Sequence, residues 1–452
     1  MLFIKEIENI NTELIPEILK GENLPFYLDS GQYFKRIGRY SFWGYNPVFS
    51  FYFKNGIIFI DNQKIEENPF IFLKKIFNKF KKVYTKKFPF HCGFVGFLSY
   101  ELGKYIEKLP DTSIDDYQLP EYYFSFYDLI FVHDIVNDKF YITGIDLNLS
   151  DFDRKIKSYF DKIKSTKTID KSNIKFGKDF KSNFKKQQYI EAIQKARDYI
   201  YKGDIYQVNL SQRFQIEFEG DPYFFYKIFR GISPAPFGAF LDYGDFQILS
   251  NSPERYLFIK DKHIETRPIK GTRKRGKNNK EDLEMIEELK NSEKDKAEHL
   301  MIVDLERNDL GRIAEFNTVK VSEFEIIETY ANVHHMVSTV EAKIDKKYDC
   351  IDCIKNSYPG GSITGAPKIR SMEIIDELEP TYRSVYTGSI GYIDINGDLD
   401  LNIAIRTAIL KDGMLNFQVG GGIVYDSNPE DEYYETIVKA ESFFKTVKEL
   451  SK

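Results

Sequence analysis

The chain has 452 residues, 42% of them hydrophobic and 16% aromatic, which is ample for a large core in one big domain or two. A net charge of −5 gives no electrostatic basis for nucleic-acid binding, and no apolar run approaches the roughly 18 residues of a membrane helix. Three cysteines argue against a disulfide framework, and charges interrupt the apolar residues of the first eight positions as no signal peptide allows, so a cytoplasmic, soluble protein is expected.

Residues 1–160 read as short β-rich stretches with turn signals such as Asn55-Gly56. A Lys-, Ser- and Asp-rich stretch over about 161–186 reads as a connector. The expected division is therefore an N-terminal region, 1–165, and a C-terminal domain, 185–452. A helix is expected over 187–202, ending at Gly203. Strands then read at 247–250, 385–395, 401–410 and 415–419, and helices at 279–310, 368–378 and 430–450. Hairpins outnumber strand-helix-strand crossovers, which predicts an α+β protein of antiparallel sheets covered by helices.

One hairpin carries an acid and an amine. Residues 255–260 are rich in β-formers, Asp261-Lys262 is turn-like, and a second strand runs from His263. Folded there, the hairpin returns Lys270 to the level of Glu254. A two-residue loop would leave them on opposite faces; a longer loop, or a bulge near Pro268, would put both on one face.

Asp295 and Glu298, three apart, share one helix face, and Glu432 and Glu435 share another, with Lys439 one turn beyond. Both pairs adjoin apolar residues, so they read as a Mg²⁺ site or as acidic surface. Read as one strand, residues 401–410 put Asn402, Ala404, Arg406 and Ala408 on one face, where Arg406 suits a carboxylate or a buried ion pair. Gly420, Gly421 and Gly422 follow a strand and would admit an anion to backbone N–H groups, or form a bulge. The Gly/Pro loop at 358–368 could hold small anions at a helix start. Cys350 and Cys353 read as core of a short helix, His334-His335 as a packed pair, and the basic cluster 273–277 as a solvated loop.

The segments Ser252-Pro-Glu-Arg, Arg267-Pro-Ile-Lys-Gly-Thr-Arg, Ala297-Glu-His-Leu-Met-Ile-Val-Asp-Leu-Glu-Arg-Asn-Asp, Gly365-Ala-Pro-Lys, Ile405-Arg-Thr and Gly420-Gly-Gly-Ile-Val stand in this order. Together they resemble the chorismate-utilising enzyme family, which includes the anthranilate, aminodeoxychorismate, isochorismate and salicylate synthases. Pro25-Phe-Tyr-Leu-Asp-Ser-Gly, Tyr40-Ser-Phe-Trp-Gly and Val95-Gly-Phe-Leu-Ser-Tyr-Glu-Leu match more loosely. The fold this resemblance implies is that of anthranilate synthase component I: two orthogonally packed antiparallel sheets with helices outside.

Lys270, in its Pro-Ile-Lys-Gly-Thr setting, resembles the branch that makes 4-amino-4-deoxychorismate for 4-aminobenzoate and folate; the anthranilate-forming branch typically has Ala there and is the alternative. A chorismate or tryptophan sensor without turnover is the remote one. Gln207 stands where the water-using branches carry a Lys base. The resemblance implies Lys270 as nucleophile and Glu254 as acid for the leaving 4-hydroxyl. It implies Mg²⁺ on Glu298 and Glu435, with Asp295 and Glu432 behind them; Asp295 is shorter than the expected Glu. The implied substrate-binding set is Gln207, Thr272, His335, Ser362, Tyr386, Arg406, Gly420, Gly421, Gly422 and Lys439. Arg267, Arg273 and the metal are expected to lower the Lys270 pKa. No cysteine resembles a glutaminase nucleophile, so a separate glutamine amidotransferase is expected to supply ammonia, and another enzyme to form 4-aminobenzoate.

Overall fold

Some strands alternate between the two faces of a sheet, whereas others, such as Gly93–Leu98 and Ser389–Asp394, are buried along their whole length. In Phe49–Lys54, Phe51 and Phe53 are buried while Tyr52 and Lys54 are half-buried, as a period of two requires. The computed structural model describes residues 1–8, 10–34, 36–61, 63–166 and 173–452. Its strands form two antiparallel sheets. The first runs, edge to edge, through Leu2–Ile7, Lys139–Ile145, Leu129–Asp134, Tyr40–Gly44, Phe26–Asp29, Phe237–Asp242, Phe246–Ser252, Thr407–Lys411, Met414–Ile423 and Gln207–Glu219. The second runs through Ile269–Lys274, Val333–Lys343, His263–Arg267, Arg255–Lys260, Leu399–Asn402, Ser389–Asp394, Gly93–Leu98, Tyr122–Tyr127 and Phe49–Lys54.

Both sheets mix early and late strands: Phe26–Asp29 pairs with Phe237–Asp242, and Gly93–Leu98 with Ser389–Asp394. The start of the expected connector is helical, Phe152–Ser165, and its end supplies Lys175–Phe176 and Lys181–Ser182, which pair with Gln207–Glu219. Residues 167–172 of that connector lie outside the described residues.

Three apolar clusters set the layers. Phe26, Phe42, Phe97, Ile130, Ile248 and Tyr392, drawn from both sheets, fill the space between them. Trp43, Phe131 and Phe417 of the first sheet pack with Phe225 and Phe443 of helices Pro222–Ile232 and Glu441–Leu450; the Phe417 and Phe443 rings stack at 4.6 Å. The second sheet packs Phe51, Phe94 and Tyr122 with Leu73, Ile354 and Ile375 of helices Pro69–Phe80, Cys350–Ser357 and Lys368–Leu378. Cys350 and Cys353 are free thiols in that core, as expected. No described helix is long and apolar enough to cross a membrane.

Several elements differ from expectation. The helix expected over 279–310 is two, Asn279–Asn291 and Glu293–Gly311, because Ser292 turns extended and its hydroxyl caps the second by accepting from Asp295 N at 3.3 Å. The helix expected over 430–450 likewise divides at Ala440 into Pro429–Lys439 and Glu441–Leu450. The strand expected from 385 begins only at Ser389.

The strand expected over 401–410 is also two, one in each sheet: Leu399–Asn402 and Thr407–Lys411. Residues 403–406 carry the chain across, with Arg406 at φ 50°. The face assigned to Asn402, Ala404, Arg406 and Ala408 is therefore not a face of one strand; Ala404 lies between the sheets and Ala408 outside the first. Pleat alternation ends where the chain leaves a ladder.

Candidate active site

The site is assembled where the chain changes sheets. Phe246–Ser252 belongs to the first sheet and Arg255–Lys260 to the second, so Glu254 sits on a crossing of its own. The crossing at 403–406 lies alongside it: Ile403 N donates to Glu254 O at 3.0 Å, and Asn251 N to Arg406 O at 2.9 Å.

Lys270 reaches the same place through two irregularities. The hairpin loop has two residues, Asp261 and Lys262, both left-handed, with Lys260 opposite His263. The shift that brings acid and amine together is a bulge on the opposing strand, between Arg255 and Phe258, across from residues 265–267 just before Pro268. Ile269 N then donates to Glu254 Oε1 at 3.4 Å. A second bulge, between Ile269 and Thr272, holds Gly271 at φ 80° next to Lys270. A Cβ on Gly271 would also stand 2.9 Å from Leu289 Cδ1, so glycine is required on both counts.

Burial pushes the Glu254 carboxyl up to about 7, against its hydrogen bond to Ser362 and the charge of Lys270. Burial also pushes the Lys270 amine below the ordinary lysine value; Glu298 opposes this and Lys439 adds to it. The lowering thus does not come from Arg267 and Arg273. Arg267 Nη2 is bound to Glu328 Oε1 at 2.8 Å, and Arg273 to Glu288 and Asp295 at 2.7 and 2.9 Å. With Arg275 on Asp282 at 2.8 Å, the two arginines of the basic cluster are ion-paired, whereas Lys274 and Lys277 are exposed.

Across the site, Thr272 Oγ1 lies 2.8 Å from His335 Nδ1, and Arg406 Nη2 reaches His335 Nε2 at 3.5 Å. Burial, then Arg406, pushes His335 down to about 3, so the ring is neutral. Tyr386 is buried beside the Arg383 guanidinium, 5.9 Å from its ring. His334 points elsewhere, to Thr329 and Asp282.

Gly420, Gly421 and Gly422 lie inside the strand Met414–Ile423, paired with Ser211, Leu210 and Asn209, and not in a loop or bulge after it. Close neighbours explain them. A Cβ on Gly422 would overlap Gln207 Nε2 and stand 3.5 Å from Lys270 Nζ. Gln207 is buried, and its Oε1 has no partner.

A Cβ on Gly421 would stand 3.3 Å from Glu432 Oε2 and 3.5 Å from Glu435 Oε1. Lys439 Nζ donates to Glu435 Oε1 at 2.7 Å and to Gly420 O at 2.9 Å. Glu432 accepts from Ser427 Oγ at 2.7 Å. Burial raises the Glu298 and Glu432 pKa values, whereas Lys439 lowers that of Glu435. A set of carboxylate oxygens of this kind fits a hard divalent cation. Asp295 is committed to Arg273. Among the described residues the acid-and-histidine group drawn within 4.8 Å is a different one, His263, Glu265 and Glu341. Arg255 and Lys320 already neutralise it, at 2.7 and 2.9 Å.

The Gly/Pro loop spends its donors internally: Gly361 N donates to Glu306 Oε1 at 2.9 Å and Thr364 Oγ1 to Gly360 O at 3.1 Å. It also places Ser362 next to Glu254. Two residues escape the sequence reading. Tyr330 sets its ring edge on His335 at 5.4 Å and donates to Glu328 Oε2 at 2.8 Å. Glu306 lies two helical turns beyond Glu298, and the Pro-Gly-Gly turn it grips is its only trace in the sequence.

An amine of lowered pKa, an acid of raised pKa, an arginine–histidine pair and several carboxylates are thus gathered beside the Gly420 to Gly422 strand. The chain belongs to the chorismate binding enzyme family, which matches residues 25–445. It is 40% identical to aminodeoxychorismate synthase component 1 of Bacillus subtilis strain 168, covering 93% of this chain and 95% of that one. It is 38% identical to anthranilate synthase component 1 of Aquifex aeolicus, covering 84% and 79%. The structure of anthranilate synthase component I from Streptococcus pneumoniae superimposes with a TM-score of 0.82 at 35% identity, covering 91% and 93%.

Proposed function

We propose that the protein acts as an aminodeoxychorismate synthase component 1, converting chorismate and ammonia to 4-amino-4-deoxychorismate and water. Relatives of both 4-aminating and anthranilate-forming name match at similar identity. The observation that carries the choice is Lys270, a half-buried amine of lowered pKa beside the Glu254 carboxyl.

The neutral Lys270 amine attacks the ring carbon next to the carboxylate-bearing carbon. Both ring double bonds shift, and the C4–O bond breaks as Glu254 delivers its proton, so water leaves. Ammonia then attacks C4, the double bonds shift back, and the lysine nitrogen departs with its electron pair. Arg406, with neutral His335 and Thr272 behind it, is placed to hold a substrate carboxylate. The Gly420 to Gly422 floor admits the ring against the backbone. Gln207 offers an amide where a base would activate water, which keeps ammonia the nucleophile. Mg²⁺ held by Glu298 and Glu435, with Glu432 and Asp295 nearby, would supply positive charge to the ring carboxylate. Both relatives are named as component 1, and the three buried cysteines offer no glutaminase nucleophile; a glutamine amidotransferase subunit is the proposed ammonia source.

The test is product analysis by mass spectrometry with chorismate, Mg²⁺ and an ammonium salt, beside Lys270→Ala. A 4-amino product that depends on Lys270 is expected. Anthranilate with pyruvate would give the protein the second activity, and no turnover would leave it a sensor.

A further inference from the structure

Beneath the acid lies a second buried carboxyl that the reaction above does not use. Glu306, on helix Glu293–Gly311, is 4% exposed and accepts the Gly361 amide hydrogen at 2.9 Å. That amide opens the turn Gly361–Ile363, whose middle residue, Ser362, is close enough to Glu254 to favour its charged form. Glycine eases the approach: a Cβ at 361 would stand 2.9 Å from Glu306 Oε1 and 2.7 Å from Leu305 Cδ2, and those side chains would have to shift. Three residues along the same helix, Asp309 binds Lys368, whose ammonium also donates to Ser357 O at 2.9 Å and Pro359 O at 2.8 Å. Helix and loop are thus joined at two points, one on each side of Gly360.

Burying a carboxyl is costly, and Glu306 is pushed up to about 7 by burial, then by Asp309, against Lys368, with Glu254 also facing it. An apolar side chain would suit packing better, so packing does not account for an acid here.

We infer that Glu306 is a positioning residue for proton delivery: by gripping the Gly361 amide it fixes the turn that aims Ser362 at Glu254. This rests on the proposed role of Glu254 as acid.

The test compares wild type, Glu306→Leu, Glu306→Gln, Ser362→Ala and Glu254→Gln in the Mg²⁺- and ammonium-supported reaction, with melting temperature recorded for each. Glu306→Leu is expected to lower kcat at least ~10-fold with KM within about threefold, and without loss of melting temperature. Glu306→Gln keeps an oxygen for the Gly361 amide and should hold kcat within about threefold of wild type. Ser362→Ala should reproduce the Leu defect, and the double variant should be no worse than either single one. Wild-type kcat in Glu306→Leu, equal loss in Glu306→Leu and Glu306→Gln, or additive losses in the double variant would overturn the inference. If Glu254→Gln is inactive while Glu306→Leu and Ser362→Ala are not, this inference alone fails. If Glu254→Gln keeps its kcat, the acid assignment fails and takes this inference with it.

Discussion

Gln207 and Gly422 meet across neighbouring strands so closely that the amide nitrogen of one occupies the space of a side chain on the other. Gln207 is 1% exposed. Gly422→Ala must displace that amide, at a position 3.5 Å from Lys270 Nζ. Misplacement on the order of 1 Å near the reacting groups can cost about 10²-fold in rate. The expected outcome is a loss of that order in kcat/KM, with the cooperative unfolding transition retained. Steady-state kinetics and a thermal melt check both halves.

The paired shifts on Glu254 and Lys270 define a pH profile. Lys270 reacts only when neutral, so the rate rises as pH climbs through its lowered pKa. Glu254 gives its proton only while it holds one, so the rate falls as pH climbs past about 7. The product is a bell in kcat/KM for the free enzyme. Glu254→Gln should remove the alkaline limb and lower the rate by roughly 10²- to 10⁴-fold. An alkaline limb that survives the substitution would assign it to another group.

Much of this chemistry was legible because it lies in short segments. Glu254, Lys270, Glu298 and Glu435 each sit in a run of neighbours that reads plainly, and the strands and helices around them follow their periodicity. What stayed hidden was geometry that no local pattern encodes. A two-residue turn at Asp261-Lys262 puts Glu254 and Lys270 on opposite faces unless a bulge intervenes, and nothing in Arg255-Tyr-Leu-Phe announces one. The change of sheet at 403–406 hides behind the apolar Ile403-Ala404-Ile405, because crossing between sheets is as dry as lying within one. Arg273 and Asp295 read as separate features, a loop cation and a metal ligand, yet they are each other's partner.

A dependence on Mg²⁺ is predicted from the proposed cation site at Glu298, Glu432 and Glu435. Glu435 is held ionised by Lys439 at 2.7 Å, so it is ready to bind a cation without first losing a proton. Glu435→Gln removes that charge from an oxygen-donor set. The Mg²⁺ concentration for half-maximal rate should rise about 10- to 100-fold or more, the range seen for weakened ligand shells. Chelation should abolish turnover of the wild type while far-ultraviolet circular dichroism stays unchanged. Turnover indifferent to chelation would remove the cation from the reaction.

The site also leans on an ion pair that is itself almost fully buried. Arg383 and Glu379 side chains are 1% and 2% exposed, joined at 2.6 Å, and Glu379 Oε1 also accepts from Ser211 N and Oγ at 2.8 Å. Arg383 in turn donates to Ile363 O and Asn209 O, at 3.0 and 2.8 Å, which ties the Ser362 turn to the strand that begins at Gln207. Arg383→Met leaves the Glu379 charge buried with no cation against it. Breaking such a pair costs about 3–5 kcal/mol, read as a fall in the midpoint of urea unfolding. Adding Glu379→Gln removes the stranded charge and should restore part of that loss, since the two sites share one interaction. Turnover should stay low in the double variant, because the tether between Ile363 and Asn209 is still missing. Stability and activity recovering together would make the pair a matter of folding alone.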